Sequence, residues 1–220
     1  MKRPLNHLPQ APWTAAGLWS FERHAFIILL ISLSIVGIGE GLLLTASLGS
    51  APWTILAQGI SLQGGFSVGW ASMLISLLVM LLWFPLKLQP GIGTVMNIIV
   101  ISIFLGLTTS LLSTPAELYL RISYAIGGII LFGLGAAFYL TCHQGAGPRD
   151  GLMVGLCYRF NWKIGIVRTT IEVSVCILGF AMGGTVGIGT LLFAFSIGWV
   201  IQWTLLAIYY CYAKENDKTY

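Results

Sequence analysis

The chain has 220 residues, of which 57% are hydrophobic and only 8% are charged, and its formal net charge is +4. Soluble domains carry roughly 25% charged residues, so this composition excludes a soluble domain and indicates a membrane protein. Uncharged stretches run from 41 to 86 and from 173 to 213, and each is about twice the ~20 residues that one crossing requires. In a membrane protein a net charge of +4 reflects the membrane topology and does not indicate nucleic-acid binding. The expected partner is the lipid bilayer.

The first segment, 1–24, is predicted to be a short cytoplasmic or interfacial arm. It is too polar and too rich in proline to be a cleaved signal peptide. We expect Trp13, Trp19 and Phe21 at the level of the lipid headgroups, where aromatic side chains are favoured.

Apolar runs separated by proline and glycine predict six transmembrane helices. They cover 25–47, 66–87, 93–113, 121–142, 164–183 and 189–212. Cytoplasmic loops are enriched in Lys and Arg. With the N-terminus inside, ten of the eleven basic residues fall on the cytoplasmic side and only Arg121 falls outside. The sequence therefore predicts that both termini are cytoplasmic, with 214–220 as a cytoplasmic tail.

An internal repeat relates the two halves of the chain at a separation of 96 residues. The stretch "GIGEGLLLTASLGSAPWTILAQG" at 37–59 aligns without a gap with "GLGAAFYLTCHQGAGPRDGLMVG" at 133–155, and "GIGT" recurs at 91–94 and 187–190. The match predicts two repeats of three helices each, 25–116 and 117–213. Because three crossings are an odd number, the second repeat should enter the membrane from the opposite side, as in inverted-topology repeats.

A short apolar segment follows the first helix of each repeat. In each copy a glycine, Gly49 or Gly145, ends the helix, and Pro52 or Pro148 then opens a segment of about 11–12 residues, which spans roughly 16–18 Å as helix. The segments 53–63 and 149–160 are either re-entrant half-helices or amphipathic helices on the membrane surface. The predicted fold is an all-α polytopic membrane protein with six transmembrane helices as two inverted three-helix repeats, each with a short half-helix after its first span.

Charged residues inside the predicted spans are the strongest candidates for function. A charge in the middle of a transmembrane helix costs at least about 2.5–3.5 kcal/mol on insertion scales. Arg168 and Glu172 are spaced to neutralise each other on one helix face, either as a structural pair or as part of a site. Glu40 has no local partner, so it is either protonated, bound to a cation, or paired with Arg149 or Arg168 of the other repeat. A substrate or proton role and a buried structural hydrogen bond both stay open.

Polar residues at helix starts extend the set of candidates. Thr94 and Thr190 follow a Gly-Ile-Gly turn and either cap their helices or place helix N-termini near an anion, with Asn97 one turn deeper. The candidates for substrate or ion binding are Glu40, Thr45, Pro52, Trp53, Thr54, Thr94, Asn97, Pro148, Arg149, Asp150, Arg168, Glu172 and Thr190.

The sequence contains no catalytic triad, metal cluster or nucleotide-binding motif, so we expect no enzyme activity, no metal and no cofactor. The cysteines show no metal-ligand spacing and are expected to be small apolar packing residues. They are Cys142, Cys157, Cys176 and Cys211.

At "LGSAPWTILAQGIS", "GIGTVMN", "GAGPRDGLMVGL" and "GGTVGIGT" the chain resembles the bacterial YczE/YitT-like integral membrane proteins, and the YczE-type branch more closely. The resemblance covers nearly all of the chain after the N-terminal arm. It implies a multi-pass protein of the bacterial cytoplasmic (inner) membrane. It supplies no catalytic residues, because the family is largely uncharacterised.

Two hypotheses for function follow. The leading one is a small transporter or channel-like permease, with a path for an unidentified solute or ion between the repeats. The alternative is a non-transporting accessory or regulatory protein that acts through its cytoplasmic 143–163 loop. A homodimer that completes the cavity is left open, and the sequence identifies neither substrate nor coupling ion.

Overall fold

The structure, a computed structural model, describes residues 11–213. Within that range the chain forms nine α-helices and a final π-helical turn, and it has no β-strand. The helices are α1 (Arg23–Thr45), α2 (Pro52–Gly64), α3 (Val68–Leu81), α4 (Trp83–Leu86), α5 (Ile92–Leu111), α6 (Leu118–Thr141), α7 (Pro148–Phe160), α8 (Ile164–Ala181) and α9 (Ile188–Ile208), and the π-helical turn is Tyr209–Ala213. The all-α class is confirmed.

Five helical segments are long and apolar enough to cross a membrane. They are Arg23–Thr45, Val68–Leu86, Ile92–Leu111, Leu118–Thr141 and Ile188–Tyr212, and they correspond to five of the six predicted spans. The sixth predicted span, 164–183, corresponds to α8, which has 18 residues, contains Arg168 and Glu172 and is not among these five. The chain is a multi-pass α-helical membrane protein.

The helix boundaries recur at the separation of 96 residues. The pairs α2 and α7, α3 and α8, and α5 and α9 each begin 96 residues apart, and α2 and α7 also end 96 residues apart. Left-handed backbone conformations recur at the same separation. They occur at Ser47 and His143, Gly49 and Gly145, Gly65 and Asn161, and Lys87 and Gly183. The two halves of the chain, 23–111 and 118–208, therefore share one backbone plan.

The centre of the fold is a close contact between α1 and α6. A Cβ atom at Gly39 would lie 2.7 Å from the carbonyl oxygen of Gly128, and one at Gly135 would lie 2.6 Å from that of Ser32. Only glycine permits this approach, which is a common way for membrane helices to pack. Because later residues of α1 meet earlier residues of α6, the two helices run antiparallel.

The other long helices pack around this pair. α5 packs on α1, with Gly37 beside Ile101 and Gly41 beside Thr108, so these two helices run in the same direction. α9 packs on α6 in the equivalent place. α2 packs on α8 and on α3, whereas α7 packs on α3, α4 and α8.

The packing of α3 and of its counterpart α8 differs between the halves. α3 packs on α5 in the first half, but α8 makes no comparable contact with α9 in the second. Gly69 of α3 lies against the backbone of Ser102 and Gly106, whereas its counterpart Gly165 has no neighbour within 4 Å of a Cβ atom built on it. A gap therefore separates α8 from α9.

The N-terminal arm differs from the prediction at Trp13. Trp19 and Phe21 are exposed, but Trp13 is buried, stacks on Phe138 and donates a hydrogen bond of 2.9 Å from Nε1 to Oγ1 of Thr141. The physical reason is that the indole N–H has a hydrogen-bond acceptor at the end of α6. The ring therefore packs against the helices and is not exposed among lipid headgroups.

The structure also places some of the basic residues. Arg121 lies where α1 ends, and it donates hydrogen bonds to the carbonyl oxygens of Ala46 and Ser47 at 2.8 and 2.6 Å. Arg23 begins α1 at the opposite end of that helix. Residues 1–10 and 214–220 lie outside the described residues. They contain Lys2, Arg3, Lys214 and Lys218 and the whole of the predicted cytoplasmic tail.

Candidate functional site

A cavity of about 360 Å³ lies between the two halves of the chain. Its volume falls within the range of about 300–1,000 Å³ that is typical of small-molecule sites. Eight of the thirteen candidate residues line it, namely Glu40, Pro52, Trp53, Asn97, Arg149, Asp150, Arg168 and Glu172. The short helices α2 and α7 and three of the longer helices of each half contribute side chains to this one space.

The lining residues are related by the internal repeat. Eight pairs of them stand 96 residues apart: Val36 and Phe132, Glu40 and Ala136, Ala51 and Gly147, Trp53 and Arg149, Ser72 and Arg168, Ser76 and Glu172, Asn97 and Phe193, and Ile101 and Ile197. The cavity is thus built from equivalent positions of the two halves, and its chemistry differs between them. Four of its five charged residues come from the second half.

The start of α7 places Arg149 and Asp150 at the cavity. Gly145 adopts a left-handed conformation that turns the chain after α6, and Pro148 then occupies the first turn of α7, where a residue without an N–H loses no helical hydrogen bond. The indole Nε1 of Trp83 donates a 3.0 Å hydrogen bond to the carbonyl oxygen of Pro148. This buried contact fixes the turn, and with it the direction of the two charged side chains that follow.

Arg149 connects α7 to three helices of the first half. Its Nη1 lies 3.2 Å from Oε1 of Glu40 in α1, and its Nη2 donates to Oγ of Ser72 in α3 at 3.3 Å. The guanidinium carbon is 5.3 Å from the ring centroid of Trp53 in α2, within the range of a cation–π interaction. Glu40 therefore has the partner from the other half that the sequence left as one alternative.

Asp150 is held at the same helix start. The hydroxyl of Tyr139 donates to its Oδ2 at 2.8 Å. A carboxylate in the first turn is also stabilised by the positive end of the helix dipole. Asp150 consequently offsets the partial positive charge of α7 beside the cavity.

A second ion pair lies on the wall next to the gap between α8 and α9. Nε of Arg168 is 3.0 Å from Oε1 of Glu172, as expected for an i, i+4 pair, and these side chains are 51% and 35% exposed. Charged side chains of membrane proteins face water or other protein groups and not lipid. The pair is therefore an exposed part of the cavity lining.

Two oxygen atoms of the lining lack partners. Oε2 of Glu40 and Oγ of Ser102 are buried, and no hydrogen-bond partner for either lies among residues 11–213. A buried polar group without a partner costs about 1–3 kcal/mol, and more when it is charged. The cavity therefore has unmet hydrogen-bonding capacity on the side of the first half.

Five of the sequence candidates lie outside the cavity lining. Oγ1 of Thr94 and of Thr190 accept hydrogen bonds from the N–H groups of Gly91 and Gly187 at 3.1 and 3.4 Å, and Thr94 also donates to the carbonyl oxygen of Ala146. Both therefore occupy capping positions, as the simpler of the two interpretations had it. Thr45, Thr54 and Pro148 are buried in the protein interior behind the cavity lining.

Sequence reasoning missed several lining residues. Ser72 and Ser76 stand 96 residues before Arg168 and Glu172, so the repeat itself could have identified them. The repeat also pairs Phe193 with the candidate Asn97. Tyr139 and Phe132 gave no such signal, since aromatic residues in an apolar helix are indistinguishable from packing residues in a single sequence.

No group of three or more His, Cys, Asp or Glu side chains arranged to hold a metal ion occurs in the part of the chain that the structure describes. The four cysteines are all free thiols. Outside the helices, partial burial lowers the pKa of His143, and hydrogen bonds from the Ala16 N–H and the Ser20 hydroxyl lower the pKa of Glu22.

Comparison with known proteins supports the resemblance noted in the sequence. A family of unknown function, DUF6198, matches residues 23–205. An uncharacterized protein of Haemophilus influenzae is 54% identical over 205 residues, which cover 93% of this chain and 94% of that protein. The uncharacterized membrane protein YczE of Bacillus subtilis is 28% identical over 188 residues, 85% of each chain. The uncharacterized protein YyaS of the same organism is 28% identical over 167 residues, 74% of this chain and 83% of that protein. No solved structure matches.

Proposed function

We propose that this chain, which belongs to the DUF6198 family of unknown function, is an inner-membrane permease that moves a small solute through the cavity between its two halves. The observation that carries the proposal is the cavity itself. Its lining combines both half-helices, an ion pair between the halves and unpartnered oxygen atoms. Binding sites at the junction of two repeats, formed by interrupted helices, are characteristic of secondary transporters.

The orientation of the halves is part of the proposal. We take 25–116 and 117–213 as inverted repeats and α8 as the sixth crossing, with both termini in the cytoplasm. The antiparallel contact of α1 with α6 supports this arrangement, as does the position of Arg121 at the opposite end of the molecule from Arg23. The half-helices are taken as re-entrant, because Trp53 and Arg149 near their N-termini reach the same cavity as Glu40.

The difference between the halves supplies a mechanism. Alternating access largely consists of one repeat rocking against the other around a fixed site. In this structure α3 is closed on α5, whereas α8 stands apart from α9. The proposed second state exchanges these contacts, so that α8 closes on α9 and α3 parts from α5. Gly165 and Gly198, which both have open space around them, are the counterparts of the packed Gly69 and Ser102 and would form the new contact.

The Arg149–Glu40 pair has a defined role in this mechanism. It joins the second half to the first across the cavity, and its length of 3.2 Å requires the halves to stay close on that side. A solute that competes for either partner loosens the connection and permits the exchange of contacts.

Liposome flux tests the proposal across several chemical classes of solute. Purified protein is reconstituted, and osmotic swelling is followed by stopped-flow light scattering for small ammonium salts, carboxylates and neutral solutes. We expect at least one class to enter faster than into protein-free liposomes, and we expect Gly165→Leu to abolish that entry. Rates equal to those of empty liposomes for every class would contradict a permease. The variant Gly127→Leu is the control, because Gly127 is also open and lies outside the cavity lining.

A further inference from the structure

We propose that the cavity binds a small organic cation. Its ammonium or guanidinium group donates hydrogen bonds to the unpartnered oxygen atoms of Glu40 and Ser102. This inference rests on the proposed function for its biological use, but the binding site itself stands on the geometry of the cavity. It deepens the permease proposal by naming the chemical class of the solute.

The charge of the lining favours a cation. The charged residues that face the cavity are the carboxylates Glu40, Asp150 and Glu172 and the guanidinium groups of Arg149 and Arg168. Their formal charges leave the cavity with one negative charge in excess. In a site partly shielded from water, that excess attracts a single positive charge more strongly than it would in bulk solvent.

The unpartnered hydrogen-bond acceptors of the cavity lining also favour a cationic ligand. The carboxylate of Glu40 uses Oε1 for Arg149 and leaves Oε2 without a partner, and Oγ of Ser102 is likewise buried without one among the described residues. Glu40 is 1% and Ser102 4% exposed. An ionised carboxylate can only accept hydrogen bonds, and an ammonium group carries only donors. A ligand that donates to these oxygens therefore satisfies what the protein leaves unmet.

An anion fits the same cavity poorly. Both guanidinium groups already have carboxylate partners, Arg149 with Glu40 and Arg168 with Glu172. An anionic ligand would have to displace a carboxylate and would bring a second negative charge next to it. Asp150 further offsets the positive helix end of α7.

The apolar part of the lining indicates an organic cation in preference to a bare metal ion. Phe132, Phe193 and Ile197 line the cavity, and they provide contact area for a carbon skeleton. The aromatic faces also attract cations. A hydrated metal ion would gain nothing from these surfaces, and the described residues hold no cluster of metal ligands.

Thermal stability with added salts tests the inference directly. The protein is purified in detergent, and its Tm is measured with ethylammonium chloride, sodium chloride and sodium acetate at equal ionic strength. A ligand that binds only the folded state raises Tm according to its concentration relative to Kd. We expect a saturable increase with ethylammonium alone, a Kd at least about tenfold weaker in Glu40→Gln, and a weaker site in Ser102→Ala. The variant Glu117→Gln removes a carboxylate from the exposed start of α6 and is expected to bind as the wild type does.

The outcomes are distinct. The absence of an ethylammonium effect in the wild type, or an undiminished effect in a folded Glu40→Gln protein, would overturn the inference. An acetate effect that disappears in Arg149→Ala would also overturn it, because the site would then take anions. Size-exclusion profiles and the Tm without ligand establish that each variant is folded, and Ser102→Ala supplies an independent test should Glu40→Gln fail to fold. Binding without flux would refute the permease and leave the cation site standing, whereas flux of a carboxylate would support the permease and refute the cation.

Discussion

The two halves of this protein have the same backbone plan and different chemistry. Helices begin at equivalent positions, and even the left-handed turns recur. At the cavity, however, Trp53, Ser72 and Ser76 of the first half correspond to Arg149, Arg168 and Glu172 of the second. The path of the chain is therefore similar in the two halves, while the side chains that face the cavity differ.

The halves also differ in how tightly they close. The first half packs α3 on α5, and the second half leaves a gap at the equivalent contact of α8 with α9. Since α3 and α8, and likewise α5 and α9, begin at equivalent positions, the difference lies in how these helices are placed relative to each other. A symmetric plan with one closed and one open side is the arrangement expected of a protein that alternates between two states.

The largest effect is expected from breaking the one ion pair described between the halves. Arg149→Ala leaves Glu40 buried without its partner, and the loss of one member of a buried pair costs about 3–5 kcal/mol. Because the Arg149 side chain is 21% exposed, we expect the lower end of that range in the free energy of unfolding, measured in mixed micelles. The double variant Glu40→Gln/Arg149→Gln should recover most of the loss, since it removes the uncompensated charge. Equal destabilisation in the single and double variants would show that the pair contributes through packing alone.

The second largest effect is expected from substitutions at two equivalent glycines, Gly69 and Gly165. Gly69→Leu forces a side chain into the backbone of Ser102 and Gly106, whereas Gly165→Leu enters open space. Overpacking typically costs about 1–3 kcal/mol, so we expect Gly69→Leu to lower Tm clearly and Gly165→Leu to leave it near the wild-type value. Similar decreases in both variants would mean that α8 and α9 are packed in the membrane, and the asymmetry of the halves would be lost.

A smaller effect concerns the 143–163 loop, through which an accessory protein would act. The structure folds much of this loop as α7, with Tyr158, Phe160 and Trp162 exposed near its end. Replacing Tyr158 and Trp162 with Ser should leave flux into liposomes unchanged, since neither residue lines the cavity. Loss of a cellular phenotype with flux intact would favour the accessory hypothesis instead.

The smallest effect is a dependence on pH through His143. Partial burial lowers the pKa of His143 below its ordinary value of 6.5, so the unfolded chain binds the proton more strongly than the folded chain. Stability is therefore fully present above about pH 6.5 and declines as the pH falls toward the folded pKa. Asn tolerates the left-handed backbone at this position. We therefore expect a smaller fall in Tm between about pH 7.5 and 5.5 in His143→Asn than in the wild type. An unchanged pH dependence in the variant would assign that decrease to other groups.

Much of the fold could be predicted from particular residues. The matched glycines and prolines located the starts of the two short helices at Pro52 and Pro148, where α2 and α7 begin in the structure. A single helix carries its apolar pattern and its breakers in its own sequence, which is why five predicted spans agree with the structure. Whether α8 crosses the membrane depends on the surroundings of Arg168 and Glu172. No local sequence pattern reveals these surroundings.

The site was predictable only in part. The cost of a buried charge singled out Glu40, and the repeat brought Arg149 into consideration, but the choice of partner depends on a contact across 109 positions of the chain. The burial of Trp13 was missed for a related reason, because its hydrogen bond is to Thr141 at the far end of another helix. Contacts of this kind are set by tertiary packing and leave no periodicity in the sequence.

Access to the cavity from each side of the membrane distinguishes a permease from a closed helix bundle. Ser76→Cys is introduced into a protein whose four native cysteines have been replaced, because Ser76 lines the cavity and is buried. A membrane-impermeant thiol reagent is then applied to intact cells and, separately, to inside-out vesicles. We expect modification from both sides, because in the proposed mechanism the cavity opens alternately to each. Modification from one side only, or from neither, would contradict a path between the halves.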